Sequence, residues 1–360
     1  MKRLTSDIKL LFKLSASVVL YYSGVLRLIR RINKKNGKNS GIKILTYHEI
    51  GDRSYLNMQM PEKIFLSHIE YLIENKYNII DLEQGVELLR TPNGPIPEDT
   101  VAITFDDGHK SIYKSILPIV KEHKIPVTVF ISTEPVEKKY PLFVDALSYA
   151  FEKTEAEKLD LTDHGLREYP IKTHQMKETA GHEINTLSKN LVYEDRKKLI
   201  ECIFERLGVD LGSDNLKLRM LTWSEISEMS EQGMQFGAHT VTHPCLSRIP
   251  PEIARDEVIR SKRILEKKLK RKIKTFAYPY GSLNDIDEGV RKAVAECGFS
   301  CACTLKDGIN GYGDDLFMLK RTCVTNQISH RFLWPFSKAL FAAEMSGVFD
   351  PLRKQQGRHS

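Results

Sequence analysis

The stretch at residues 101–109, which reads VAITFDDGH, is the part of the sequence that decides the fold. Five apolar or β-favouring residues run directly into two adjacent carboxylates, Asp106 and Asp107, and a glycine. This pattern predicts a buried strand that delivers charged groups to the C-terminal edge of a parallel sheet, where α/β enzymes hold their active sites. Two ionised neighbours repel each other, so a cation bound by one aspartate would help to keep the other ionised as a base. A strand that ends in a simple Asp-Gly turn is the alternative interpretation.

Strand-like and helix-like segments alternate on both sides of this stretch. Predicted strands cover residues 42–48, 77–80, 126–131, 234–239 and 299–305, and predicted helices cover 60–76, 82–89, 110–123, 223–232 and 251–272. Such alternation is typical of a parallel sheet or barrel. A chain of 360 residues is long enough for an α/β barrel of roughly 250 residues with additional segments.

The additional segments predict the domain organisation. Residues 1–41 form an N-terminal arm and polar linker, and residues 42–328 form the barrel domain. Residues 133–220 interrupt the alternation with charged helical stretches, and we interpret them as an insertion over the active-site face. Residues 329–360 are predicted to form a C-terminal helix and tail.

The net charge of +7 comes from the N-terminal arm. Residues 1–38 hold ten lysines and arginines and one acidic residue, and the remaining chain holds 44 basic and 46 acidic residues. The body is therefore close to neutral, which argues against a nucleic-acid-binding protein.

The arm also contains the most apolar segment of the chain. Its uncharged core, Leu14 to Leu26, is too short for a spanning helix, which needs about twenty apolar residues. Its small residues precede most of the apolar run, unlike the cleavage site of a signal peptide. We expect residues 8–31 to form a basic amphipathic helix that lies on an anionic membrane surface. A helix packed on the enzyme body is the alternative.

Two histidines, His239 and His243, follow the predicted strand at 234–239. Histidines four residues apart lie on one face of a helix or helical turn, and imidazole is the commonest protein ligand for zinc-like metals. A lone HxxxH motif is weak evidence, but two histidines and a carboxylate that each follow a strand would leave metal positions open for water and substrate. A third motif, Tyr278-Pro279-Tyr280-Gly281, ends another strand in a turn whose backbone N–H would point at a developing oxyanion.

These three motifs, in this order, resemble those of the NodB-homology polysaccharide deacetylases, carbohydrate esterase family 4, over roughly residues 42–324. The resemblance implies a distorted (β/α)7 barrel and metal-dependent removal of N-acetyl groups from amino-sugar polymers. It implies that Asp106 is the general base and that the backbone N–H of Tyr280 contributes to an oxyanion hole. The implied ligands of zinc or a similar divalent ion are Asp107, His239 and His243.

The sequence departs from the family pattern at two places. Many members carry an arginine just before the Pro-Tyr motif, where residues 276–278 read FAY, and many end in a Leu-x-His motif, where residues 319–324 read LKRTCV. However, Tyr47-His48 resembles the Tyr-His of the biofilm exopolysaccharide deacetylases, a branch with a permuted barrel. The resemblance makes His48 the candidate general acid, and a hydrogen-bonded histidine at a strand end is the alternative. His109 stands where the family usually has an aromatic residue, and we expect it to lie behind the metal ligands.

Together these features predict an enzyme that removes N-acetyl groups from an amino-sugar polysaccharide or a lipid-linked glycan. A non-catalytic glycan-binding protein on a degenerate barrel, and another metal-dependent amide C–N hydrolase, are the alternatives. The six cysteines form no CxxC pair, which favours a reducing compartment. We therefore expect attachment to the cytoplasmic face of the inner membrane, with attachment outside the cytoplasm as the alternative.

Overall fold

A curled, mostly parallel β-sheet forms the frame of the fold. The computed structural model describes residues 2–35, 41–51, 59–92, 94–213, 216, 218–324 and 337–348. The strands are β1 (Ile42–Tyr47), β2 (Glu49–Ile50), β3 (Gln59–Met60), β4 (Asn78–Ile80), β5 (Thr100–Phe105), β6 (Thr128–Ile131), β7 (Lys158–Asp160), β8 (Glu168–Pro170), β9 (Gln235–Ala238), β10 (Thr275–Ala277), β11 (Cys301–Cys303), β12 (Ile309–Asn310) and β13 (Thr322–Cys323). Six of them run parallel in the order β11-β10-β9-β6-β5-β1, with β4 beside β5 and β12 antiparallel to β1.

Helices cover the outside of this sheet. They are α1 (Lys2–Tyr22), α2 (Val25–Lys35), α3 (Glu62–Glu74), α4 (Leu82–Arg90), α5 (Leu117–His123), α6 (Thr133–Lys138), α7 (Phe143–Lys153), α8 (His174–Ser188), α9 (Tyr193–Arg206), α10 (Trp223–Glu231), α11 (Pro251–Leu269), α12 (Glu288–Glu296) and α13 (Ser337–Met345), and a π-helical turn at Ile112–Ile116 precedes α5. The predicted strand–helix alternation is therefore observed. The helices predicted between the strands lie within three residues of their predicted bounds when the π-helical turn is counted with α5.

A short C-terminal segment closes the curl of the sheet. Leu319 N–H donates to the carbonyl of Ala302 in β11 (3.0 Å), and Val324 N–H donates to the carbonyl of Thr46 in β1 (2.9 Å). Between them, β13 pairs in parallel with β1. The closing strand is the seventh in the parallel run, so the predicted distorted (β/α)7 barrel is confirmed.

Strands β1 and β5 are paired neighbours in the barrel wall. Every residue in both strands is buried, as expected for a parallel sheet covered on both sides. Their register pairs Tyr47 with Phe105. Because parallel strands end at the same edge of a sheet, this register places the residues that follow, His48 and Asp106, next to each other.

The predicted insertion at 133–220 has a hydrophobic core of its own. Helices α7, α8 and α9 and the hairpin β7–β8 pack around it, and the core is separate from that of the barrel. Its largest fully buried side chains are Tyr169, Phe151 and Phe204. The insertion is thus a packed unit that can hold side chains in fixed positions over the barrel.

The N-terminal arm differs from the single helix predicted at residues 8–31. It forms two helices, because Gly24 adopts a φ of +78° and interrupts the helix between α1 and α2. In the described part of the chain, no single helix is long and apolar enough to cross a membrane, and the segments Phe12–Tyr22 and Val25–Asn33 reach that length and composition only as a pair bent by 86°.

One face of the arm packs on the body. Leu14 and Leu26 are buried in the barrel core, and α1 lies against α13. Arg30 donates two hydrogen bonds to Asp99 (3.2 and 2.9 Å) and stacks over Tyr77, with its guanidinium carbon 4.1 Å from the ring centroid. This packing agrees with the alternative interpretation, a helix packed on the enzyme body, but only for one face of the arm.

The domain bounds at 41/42 and 328/329 stay a prediction, and the tail at 349–360 lies outside the described residues.

Beneath the arm, a buried histidine makes the stability of the fold depend on pH. The His68 ring stacks on Phe341 of α13 (4.0 Å between centroids), and its Nδ1 lies 3.2 Å from the hydroxyl of Tyr47. Burial lowers the pKa of His68 to about 3. In the unfolded chain His68 takes up a proton near pH 6.5, but in the folded chain it does not until about pH 3. The contribution of neutral His68 to the free energy of unfolding is therefore fully present above pH 6.5 and is lost as the pH falls toward 3.

We predict that His68→Phe, which keeps a stacked ring, removes this pH dependence. Between pH 6 and pH 4, the free energy of unfolding of the wild type should fall by about 1 kcal/mol per pH unit more than that of the variant. Chemical denaturation at pH 6, 5 and 4 measures both slopes. Equal slopes would contradict the neutral, buried state of His68.

Candidate active site

The paired aspartates lie at the C-terminal edge of the sheet, as predicted. Asp106 N–H donates to the carbonyl of Tyr47 (2.9 Å) and so extends the ladder between β5 and β1 by one residue. Asp107 and Gly108 then turn the chain with φ values of +76° and +91°. A Cβ atom at Gly108 would also lie 3.0 Å from Ile131, so this position requires glycine. The turn leaves both carboxylates buried at one edge of the barrel.

A buried arginine that none of the sequence motifs predicted, Arg321, pairs with Asp106. The Nη1 and Nη2 atoms of Arg321 each donate to one carboxylate oxygen of Asp106 at 2.7 Å, and the arginine is fully buried. Burial opposes ionisation of Asp106, but Arg321, together with His239 and His48, more than offsets burial and lowers the pKa of the carboxyl. The arginine that seemed absent at 276–278 is therefore supplied by the segment that closes the barrel.

The three predicted metal ligands come together beside this pair. Nε2 of His239 and Nε2 of His243 lie 3.5 and 3.3 Å from Oδ1 of Asp107. Nδ1 of His239 lies 2.7 Å from the carbonyl of Ala277, which makes Nδ1 the donor and turns the lone pair of Nε2 toward Asp107. One ligand atom from each of the three residues lies within 4.8 Å of the other two.

This arrangement fits a divalent cation. Oδ1 of Asp107 is buried and has no hydrogen-bond partner among the described residues, which is costly for a carboxylate oxygen. Burial opposes its ionisation, but the imidazoles of His239 and His243 hold the pKa of Asp107 well below its usual range. Two imidazoles and one carboxylate form the donor set of catalytic zinc sites, in which a further position stays open.

The two histidines share one side of a loop rather than of a helix. Thr240 and His243 have φ values of +65° and +56°, a backbone conformation that side-chain-bearing residues rarely adopt. Buried Glu257 of α11 fixes the loop from one side by accepting the N–H groups of Val241 and Thr242, each at 2.8 Å. A strained backbone persists only where its surroundings determine it, as here.

The two remaining predicted site residues lie at the same edge. Nε2 of His48 lies 4.0 Å from Oδ2 of Asp106, and burial lowers the pKa of this histidine. The ring of Tyr280 lies 5.1 Å from that of His243, and its φ is +62°. The backbone N–H of Tyr280 has no acceptor among the described residues, so it is available to a bound oxygen atom.

His109 lies behind the metal-ligand residues. Its Nε2 is 2.9 Å from Oδ2 of Asp145 in the insertion, and its Nδ1 is 3.9 Å from Oδ2 of Asp107. Burial favours the neutral ring, but the surrounding carboxylates, with Asp145 first among them, more than offset burial and raise the pKa of His109 to about 10. No sequence motif predicts Asp145 as a site residue, because it is one of many charged residues in the insertion helices.

Comparison with known proteins identifies the family. The sequence profile of the polysaccharide deacetylase family matches residues 93–302, which is more than half of the chain. The chain therefore belongs to the polysaccharide deacetylase family, as its three motifs predicted.

Individual relatives are more distant. The poly-β-1,6-N-acetyl-D-glucosamine N-deacetylase of Staphylococcus aureus is 26% identical over 293 residues, which are 81% of this chain and 74% of that protein. YxkH of Bacillus subtilis, whose name assigns it to polysaccharide deacetylases, is 24% identical over 172 residues. Those residues are 48% of this chain and 56% of YxkH, so this match spans little more than half of that relative.

Two solved structures share the fold. The deacetylase PplD of Streptococcus pyogenes, determined in complex with acetate, has a TM-score of 0.54 at 20% identity over 82% of this chain and 98% of its own. IcaB of Ammonifex degensii has a TM-score of 0.54 at 19% identity over 84% of this chain and 98% of its own. These similarities support the barrel architecture described above.

The buried pair of Asp106 and Arg321 generates a stability prediction. Arg321→Met leaves the Asp106 carboxylate buried without its partner, which should lower the free energy of unfolding by about 3–5 kcal/mol. The double variant Arg321→Met/Asp106→Asn removes both charges and should recover a large part of that loss. Denaturant unfolding at pH 7 measures all variants. A double variant no more stable than Arg321→Met would show that the two charges are not coupled.

Proposed function

We propose that this protein is a metal-dependent hydrolase that removes N-acetyl groups from an amino-sugar polysaccharide. The observation that carries the proposal is the Arg321-paired carboxylate of Asp106 beside the buried set of Asp107, His239 and His243. The substrate of the S. aureus relative, poly-β-1,6-N-acetyl-D-glucosamine, supports an N-acetylated polymer as the substrate class. A lipid-linked glycan carries the same amide and is the second substrate to test.

Asp107, His239 and His243 would hold the metal ion, and we propose zinc because two imidazoles and a carboxylate suit that ion. A divalent ion bound there would supply Lewis acidity, which lowers the pKa of water and polarises an amide carbonyl.

The remaining residues would move protons and stabilise charge. Asp106, kept ionised by Arg321, would take a proton from the attacking water as general base. The backbone N–H of Tyr280 would donate to the oxyanion that develops on the amide oxygen. His48, beside Asp106, would donate a proton to the departing nitrogen, so that acetate and a free amine result.

The site favours an enzyme over a glycan-binding protein. A binding protein on this barrel needs no ionised carboxylate beside a metal-ligand set, whereas a hydrolase requires one. A hydrolase of small amides would use the same groups, and only the choice of substrate separates it from a polysaccharide deacetylase.

The test is acetate release from N-acetylglucosamine oligomers, with metal content assayed on the same purified protein. We expect about one divalent ion per chain and acetate release that a chelator abolishes. Asp106→Asn should keep the metal and lose turnover by at least about a hundredfold, since it removes the general base. Asp256→Asn, at an exposed carboxylate, is the matched control and should change neither.

Two other results would favour the two alternative functions. Bound metal with turnover of small acetamides but not of oligomers would favour the general amide hydrolase. A protein that binds no divalent ion and releases no acetate would favour the glycan-binding alternative.

We also propose that the outer face of the arm binds an anionic membrane surface. While Leu26 and Arg30 of α2 face the body, Leu28 and Ile32 are exposed and lie four residues apart on the opposite side, beside exposed arginines. Exposed apolar side chains of α1, namely Phe12, Val19 and Tyr22, extend this surface. Apolar side chains flanked by basic ones are suited to the boundary between lipid headgroups and acyl chains. The cytoplasmic side of the membrane stays a prediction.

The membrane proposal predicts the behaviour of Leu28→Ser/Ile32→Ser. The variant should bind vesicles of phosphatidylcholine with 30% phosphatidylglycerol at least about tenfold more weakly, because it loses two apolar contacts with the lipid. Leu218→Ser/Ile253→Ser removes two exposed apolar side chains outside the arm and is the matched control. Vesicle co-sedimentation measures both, and equal binding by the two variants would contradict the role of the arm.

A further inference from the structure

We infer that the helical insertion positions the metal centre and that Arg196 is its principal positioning residue. The inference rests on the proposed metal-dependent function, but it concerns residues that the family motifs do not contain. It assigns to the insertion a role in the geometry of the site, in addition to any role in shaping the cleft.

Arg196 reaches from α9 to the loop that carries the two histidines. It is 5% exposed, its Nη1 donates to the carbonyl of His243 (2.8 Å), and its Nη2 donates to the carbonyl of Thr242 (2.9 Å). Arg196 thus bonds to the backbone of a proposed metal ligand and of the residue before it. Its planar guanidinium binds two neighbouring carbonyls at once, which a single ammonium group cannot do with the same geometry.

The histidine loop needs support from two sides. Glu257 of the barrel accepts two of its N–H groups on one side. On the other side, Arg196 of the insertion donates to the carbonyls of Thr242 and His243. The N–H groups of Thr133 and Glu134 in α6 donate to the two preceding carbonyls of the loop (3.2 and 2.9 Å), so Arg196 is the side chain that holds the part of the loop nearest the ligand His243. Because Thr240 and His243 both hold positive φ angles, the loop would relax toward ordinary backbone angles if either support were lost. Such relaxation would turn the His243 imidazole away from Asp107. Arg196 therefore keeps the ligand set assembled.

Two other helices of the insertion, α7 and α8, also contribute a charged residue to the site. Asp145 of α7 holds His109, whose other nitrogen faces Asp107. Lys189, at the C-terminal end of α8, pairs with Asp285 (3.1 Å) and places its ammonium 4.5 Å from the ring centroid of Tyr280. Three helices of the insertion thus contribute one charged residue each, and the three residues reach different parts of the same site.

The test measures metal affinity of the full chain rather than turnover. Zn²⁺ affinity is determined by competition with a chromophoric chelator, and the visible absorption of the Co²⁺-loaded protein reports the ligand geometry. Arg196→Ala should weaken Zn²⁺ binding about 10–100-fold and change the Co²⁺ spectrum, as expected when a group that orients a ligand is removed. Arg196→Lys keeps the positive charge but loses the paired donors, so its Zn²⁺ affinity should lie between those of Arg196→Ala and the wild type.

Arg206→Ala is the matched control. Arg206 lies on the same helix and donates to the carbonyl of Asp160 and to the carboxylate of Asp163. Both hydrogen bonds stay within the insertion and do not reach the site. The control should therefore keep wild-type Zn²⁺ affinity and the wild-type Co²⁺ spectrum. If Arg196→Ala does not fold, Arg196→Lys carries the test with the same readouts.

Two results would overturn the inference. One is an Arg196 variant with the Zn²⁺ affinity and Co²⁺ spectrum of the wild type. The other is an Arg206→Ala variant that loses as much affinity, which would make the effect one of general stability. A wild-type chain that binds neither ion would contradict the proposed function as well, and so the two failures are distinguishable.

Discussion

Two carboxylates that follow one another in the chain, Asp106 and Asp107, are buried at one edge of the barrel and repel each other when both are charged. The rest of the site supplies a different partner for each. Arg321 pairs with Asp106 through two hydrogen bonds, and the imidazoles of His239 and His243 face Asp107. This division gives the two aspartates different surroundings, which suit Asp106 to the proposed role of general base and Asp107 to the proposed role of metal ligand.

The sequence was sufficient for the parts of the site that lie in contiguous motifs. The apolar run before Asp106 and the histidine pair after β9 predict their strands, and parallel strands bring their ends to one edge. Arg321 could not be found in this way, since it directly precedes a strand of only two residues, which shows no periodicity, and reaches the site only because the sheet curls and closes. The arginine expected near residue 277 is replaced in space by one 44 positions later in the chain.

The insertion and the arm show a second limit of local patterns. Asp145 and Arg196 belong to helices that also carry many solvated charges, and only tertiary contacts distinguish them. The composition of the arm indicated an amphipathic segment of residues 8–31, but it did not reveal that Gly24 divides it into two helices. One face of the divided arm packs on the body while Leu28 and Ile32 remain exposed, so both interpretations of this segment describe part of it. The whole fold determines which side chains are buried, whereas the periodicity of a helix depends only on its own sequence.

X-ray absorption spectroscopy at the zinc edge of the Zn²⁺-loaded full-length protein is the measurement that tests the central claim most directly. The account predicts two imidazole nitrogens and carboxylate or water oxygens at about 2.0–2.2 Å, with no sulfur ligand, and loss of one imidazole in His243→Ala. A spectrum with sulfur at about 2.3 Å, or without imidazole scattering, would contradict the assignment of the cation to Asp107, His239 and His243.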